Sequence, residues 1–257
     1  AKKVEELFSR YLAKLDLAVL MIDGVAVGAH TVVIALCIDS KGVKHVLSLR
    51  MGATENAAVA KGLLEDLIGR GLSVETPMLV VIDGSKALRK AVADVFGEEV
   101  LVQRCTVHKK RNVLEHLSQH DRSWVSRRMT QAYNESDEHR ARTSLLALAK
   151  QLESVNPSAA RSLLEGLDET LTVQRLGLPE ELCRSLRSTN IIESSNSCVR
   201  DRSRNVKRWR DGLHVERWMA AGLLETEQHF RRIRGYRHMN LLVAVLKNAQ
   251  TQEAVAA

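Results

Sequence analysis

The sequence predicts an α/β protein: a mixed sheet formed early in the chain, then a long all-helical stretch, then a return to the sheet. Three observations carry this. Two apolar runs rich in branched residues, Leu17–Gly24 and Met78–Gly84, end in the same words, Ile-Asp-Gly. Strand-like and helix-like patterns alternate between residues 17 and 103, and from Val107 to Leu186 only helical spacing appears.

Residues 1–16 carry Val4, Leu7, Phe8, Tyr11 and Leu12 on one helical stripe, which predicts a lead-in helix. The first strand is expected over 17–23, ending in an Asp-Gly turn. Thr31–Asp39 and Val43–Arg50 flank Ser40-Lys41-Gly42 and read as a hairpin. Thr54 and Glu55 open a helix whose apolar residues run to Ile68, with Gly69-Arg70-Gly71 as its end. The Asp83 strand follows, bounded by Pro77 and Gly84. Ser85 is expected to cap a helix to Phe96 that Gly97 stops, and Val100–Gln103 forms a fifth strand. Helical segments are then expected at 112–117, 122–133, 138–155, 159–167 and 171–176, punctuated by Asn156-Pro157 and Gly177-Leu178-Pro179. A last helix opens near Asn190, which with Glu193 three residues on matches a capping box. The expected division is a first part of the core over 1–112, the helical insertion over 113–186, and the remainder of the core with basic helices over 187–257.

With 257 residues, 45% of them hydrophobic and 27% charged, the chain has ample material for a buried core. No apolar run is long enough for a membrane span. The start has no apolar stretch behind its charges, so no signal peptide is expected. It has no initiator Met, so a segment of a longer protein is expected. Four scattered cysteines, Cys37, Cys105, Cys183 and Cys198, do not make a disulfide framework, and a cytoplasmic location is expected. The net charge is +7, and from Arg200 to Arg237 eleven Arg/Lys stand against five Asp/Glu. Clustered arginine is the electrostatic footprint of a polyanion.

Charged residues seldom end buried strands unless paired or metal-bound. Asp23 and Asp83 both do, and neighbouring strands would set them side by side to hold a divalent cation. The plainer alternative is that each Asp-Gly is only a turn. Glu193 is either a capping residue or a stiffly held third carboxylate, and the two roles are compatible. Cys105-Thr106-Val107-His108 has the spacing of half a zinc site, with Cys183 or Cys198 as further ligands; otherwise it is a capped helix start with a buried thiol. Arg200, Arg202, Arg204, Lys207, Arg208 and Arg210 follow Glu193 and would meet phosphates without reading sequence. Trp209 either stacks on an unpaired base or packs inside, while Trp124 and Trp218 are expected in the core.

The order β-β-β-α-β-α-β, with aspartates ending strands one and four, resembles the ribonuclease-H-like layout. That resemblance implies that strands one and four are neighbours and that a later helix brings a third carboxylate. Ile22-Asp23-Gly24, Val81–Ala87, Arg104–Lys109 and Ser188–Asn196, with the tail Arg231–Arg237, resemble the motif series of bacterial Mutator-type insertion-sequence transposases. The resemblance implies a DDE transposase in which Asp23, Asp83 and Glu193 cleave and join DNA strands with two Mg2+ ions about 3.5–4 Å apart, for which Mn2+ can substitute. Asp23 would bridge the ions, Asp83 would hold one and Glu193 the other. It also implies that His108 and Lys109 approach the DNA, that the partners are terminal inverted repeats and target DNA, and that the protein works as a dimer or larger assembly on the nucleoid. The alternatives are a nuclease without strand transfer, an inactive transposase-derived DNA-binding protein, and a metal-independent recombinase using Tyr236.

Overall fold

The apolar runs of the N-terminal half become one sheet. The computed structural model describes residues 2–52, 57–203, 209 and 211–256. After α1 (Lys2–Ser9) come β1 (Leu17–Val27), β2 (His30–Asp39) and β3 (Lys44–Gly52), then α2 (Ala57–Gly69), β4 (Leu79–Ile82), α3 (Lys86–Phe96) and β5 (Leu101–Arg104). The sheet order is β3-β2-β1-β4-β5, with β1 antiparallel to β2, β2 antiparallel to β3, and β1, β4 and β5 mutually parallel along the row. Strands one and four are thus neighbours.

Alternation along β1 separates two apolar layers. Met21 and Val25 join one cluster and Leu20 and Ile22 the other. The second cluster takes Leu63, Leu64 and Leu67 of α2 with Leu88 and Val92 of α3. The first takes Ile192 and Val199 of α11 (Asn190–Ser203) and Val215, Met219 and Leu223 of α12 (Gly212–Glu227). The sheet is therefore covered on both faces, as near-continuous apolar strands require.

Three expectations about this half change. The first helix stops at Ser9 because the chain turns to run past α2: Arg70 donates to Leu7 O at 2.9 Å and Leu12 N donates to Arg70 O at 2.7 Å. Tyr11, placed on the helical stripe, is exposed. Asp23-Gly24 is not a turn, since Gly24 pairs with Val33 inside β1. The turn falls at Gly28, whose φ of +60° suits glycine and where an added Cβ would lie 3.1 Å from Trp209 Cδ1. Thr54 and Glu55 lie outside the described residues. The expected caps are present: Ser85 Oγ accepts from Leu88 N, and Gly97 ends α3 at φ +88°.

Helices α4 (Thr106–Glu115), α5 (Gln119–Asn134), α6 (Glu138–Val155), α7 (Pro157–Leu164), α8 (Leu167–Thr170), α9 (Thr172–Arg175) and α10 (Glu180–Leu186) follow. Residues from Val113 to Leu171 share their own apolar cluster, including Val125, Leu145, Leu148 and Leu163. This region covers the free edge of β5. Thr172 Oγ1 donates to Val102 O, Val173 N donates to Gln103 Oε1, and Gln103 Nε2 donates to Thr170 O. Arg104 and Arg89 both reach Glu169. The Val102 carbonyl on the outer edge of β5 is thereby satisfied by a hydroxyl, and the buried Gln103 side chain finds backbone partners in the helical region. A 3-10 turn (Tyr236–His238) leads into α13 (Met239–Ala256). Among the described residues, no helix is long and apolar enough to cross a membrane.

Candidate active site

The register of β1 and β4 assembles the site. Their last paired residues are Ile22 and Ile82, so Asp23 and Asp83 follow at equivalent positions on adjacent parallel strands. There β4 ends while β1 continues against β2, leaving Asp23 at the carboxyl edge of the parallel part of the sheet. β5 ends in step: Ile82 pairs with Arg104, and Cys105 N donates to Ile82 O at 2.8 Å.

Asp23 is only 5% exposed, on the face that α11 covers. Asn196 Nδ2 donates to its Oδ2 at 3.1 Å. Asn196 is itself 1% exposed, and its Oδ1 has no hydrogen-bond partner among the described residues. A buried acceptor without a partner beside a buried carboxylate keeps a lone pair for a cation to take directly or for a cation-bound water to donate to. Asp83 is half-buried, and its Oδ1 accepts from Ser85 N at 2.7 Å, which fixes the carboxylate at the entry to α3. The donors here are all oxygen, the set preferred by Mg2+ or Mn2+.

Glu193 lies one turn before Asn196 on the same face of α11. Its carboxylate is engaged elsewhere: Thr189 Oγ1 donates to Oε1 at 2.7 Å, and His108 Nδ1 stands 3.6 Å from Oε1. Thr189, not Asn190, caps α11: the helix begins at Asn190, and Glu193 N donates to Thr189 O at 2.9 Å. The expected capping box is replaced by this hydroxyl-to-carboxylate bond. Cys105 caps α4, its Sγ accepting from His108 N at 3.5 Å and from Thr189 N at 3.4 Å. Among the described residues, the group of three such donor side chains with ligand atoms all within 4.8 Å of one another is Cys105, His108 and Glu193. Glu193 with the two aspartates does not meet that spacing. Cys183 and Cys198 do not join Cys105 and His108, and Cys183 Sγ instead donates to Leu178 O at 3.0 Å.

Burial pushes the Cys105 thiol up, but the hydrogen bonds from His108 and Thr189 outweigh it and leave it below its usual value. His108 is raised, first by its side-chain bond to Cys105, against burial, with help from the Cys105 and Glu193 charges. The two shifts run in opposite directions, the thiol down and the imidazole up, because each group stabilises the charged form of the other.

Lys109 is 3% exposed, and its Nζ donates to Ser162 O at 2.8 Å and Glu165 O at 2.6 Å at the end of α7. The expectation that it faces DNA meets a buried ammonium tying the helical region to α4. Arg200 and Arg202 fall within α11. Arg204, Lys207, Arg208 and Arg210 lie outside the described residues. Trp209 is half-buried, edge-on to His214 at 5.6 Å and packed on the β1–β2 turn. Trp124 joins the core of the helical region, but Trp218, expected in the core, is 43% exposed with its Nε1 on His214 Nε2 at 2.9 Å. Sequence pattern alone gives Asn196 and Thr189 no distinct role. The signal for Asn196 was its three-residue spacing from Glu193, which puts both on one helix face.

Comparison with known proteins agrees with the motif series. A sequence profile described as "Transposase, Mutator family" matches residues 1–232. The chain is similar to the transposase for insertion sequence element ISRM5 of Rhizobium meliloti, 31% identical over 88% of this chain and 56% of that protein. It is 32% identical, over 71% of this chain and 52% of the relative, to a probable insertion-sequence transposase of Corynebacterium diphtheriae. Identity to the IS6120 transposase of Mycolicibacterium smegmatis is 28%, over 77% of this chain and 62% of that protein. The chain therefore spans about half to three-fifths of the length of these curated relatives. With both the profile and these relatives covering most of its length, the chain belongs to the Mutator family of transposases.

Proposed function

We propose that this chain is the catalytic segment of a DDE-type DNA transposase, a polynucleotidyl transferase with a ribonuclease-H-like core in two parts (1–112 and 187–257) around a helical insertion (113–186). It acts in the cytoplasm on nucleoid DNA, as a dimer or larger assembly, with terminal inverted repeats and target DNA as substrates. The observation that supports this best is the parallel register of β1 and β4, whose last pair, Ile22 and Ile82, is followed on each strand by an aspartate.

Asp23, Asp83 and Glu193 would hold Mg2+, and the orphaned Asn196 Oδ1 gives a bound water an acceptor. Mg2+ held by these carboxylates would supply Lewis-acid activation of the attacking oxygen and charge stabilisation for the leaving one. The chain's own work is positional. Asn196 fixes one oxygen of Asp23, and the Ser85 N–H fixes one of Asp83. Glu193 enters from the same face of α11 by giving up Thr189 and His108. His108, in the first turn of α4 after β5, would donate to a scissile phosphate, and the arginines after Glu193 would hold the DNA backbone.

The test is incubation of the chain with DNA carrying the ends of its own element and Mg2+. Cleaved and joined strands are expected, lost in Asp23→Asn, Asp83→Asn and Glu193→Gln, with DNA binding kept. Products that persist in EDTA or in any of these variants would contradict the proposal.

A further inference from the structure

The residues that the oxygen-rich edge leaves unused form a second centre of different chemistry. Cys105 Sγ, a ring nitrogen of His108 and a carboxylate oxygen of Glu193 lie within 4.8 Å of one another, with His108 Nδ1 3.6 Å from Glu193 Oε1. They come from two elements, the start of α4 and the first turn of α11, locked together by Thr189 N donating to Cys105 Sγ and Thr106 N donating to Arg187 O at 3.0 Å. We propose that these three side chains bind a thiolate-seeking divalent cation of the Zn2+ class, distinct from the hard cation of the aspartates.

The donor set argues for this cation. One sulfur, one imidazole nitrogen and one carboxylate oxygen suit Zn2+ or Co2+, whereas Mg2+ avoids sulfur. Ligand atoms around a tetrahedral zinc stand about 3.5 Å apart given Zn–S and Zn–N bonds of about 2.3 and 2.0 Å, so atoms within 4.8 Å of one another close by about 1.3 Å at most. Three protein ligands leave a fourth position for water or a phosphate oxygen. The Cys105 side is sealed, while His108 and Glu193 keep 18% and 32% of their side-chain surface in solvent, which gives the ion a way in.

Glu193 is the shared element. A carboxylate on this second cation is withdrawn from Asp23 and Asp83, so its occupancy turns the proposed cleavage reaction off. This consequence rests on the reading of Glu193 as the third catalytic carboxylate; the cation site itself does not.

The test is titration of the intact chain with Co2+ in excess Mg2+, read by thiolate-to-metal charge-transfer absorption, with Zn2+ competition for affinity. One Co2+ per chain with a thiolate band is expected. Cys105→Ser should abolish the band and weaken Zn2+ by more than about 100-fold, beyond the loss typical of outer-shell changes. Serine is a good helix cap and accepts the same His108 N–H, so this variant folds. Cys183→Ser and Cys198→Ser should keep the band. A wild type without a thiolate band, or a band that survives in Cys105→Ser, overturns the proposal. Asp83→Asn should lose cleavage and keep the band, so failure of the transposase reading and failure of this one are told apart.

Discussion

Asp23, where β1 passes the end of β4, and Cys105, just after β5, stand on one edge of the parallel part of one sheet, yet their surroundings ask for opposite chemistry. Asp23 meets an amide from α11 beside an unmatched oxygen, all hard donors. Cys105, two strands away, meets an imidazole and two backbone N–H groups that favour an ionised sulfur. The same helix serves both, with Asn196 on the aspartate side and Glu193 on the cysteine side. A sheet edge supplies positions, and the side chains of the helix covering it set the chemistry offered at each one.

The largest test of that contrast is to neutralise the oxygen side alone. Asp23→Asn or Asp83→Asn should lower Mg2+-dependent DNA cleavage by on the order of 1,000-fold or more, since a metal centre supplies several kcal/mol of barrier lowering; assays against wild type at fixed Mg2+ check this. Asn196→Ala removes only the group that orients Asp23. It should cost about 10–100-fold in cleavage and shift the Mg2+ dependence to higher concentration, with the fold retained. Lys109→Met probes the other side's scaffold: two α7 carbonyls lose a charged donor, for about 1–3 kcal/mol of stability in urea melts. The salt dependence of DNA binding should stay unchanged, because the ammonium is inside. Replacing Arg204 and Arg208 with Ala should reduce the slope of log K against log salt by about two, as expected for two phosphate contacts. An unchanged slope would move the DNA path off this segment.

Much of the sheet was legible because its signals are local. Branched apolar runs, the Gly42 turn and the Ser85 and Gly97 caps gave the strands and α3 nearly as they stand, and α6 spans the 138–155 expected from its spacing. What misled was local chemistry overruled by distant partners. Asp23-Gly24 has the composition of a turn, but ten residues of β2 hold it extended. Lys109 sits in a basic motif, and only the end of α7, more than fifty residues on, shows why it is buried. The side-by-side placement of Asp23 and Asp83 came from resemblance, since periodicity cannot order strands. The engagement of Glu193 with His108, across 85 residues, had no sequence signal.

The central claim is that Asp23 and Asp83 together hold a hard divalent cation. Crystals soaked in Mn2+ and measured for anomalous scattering test it most directly. The account predicts a peak bonded to both aspartate carboxylates that is lost in Asp83→Asn. Manganese bound elsewhere, with that edge of the sheet bare, would contradict it.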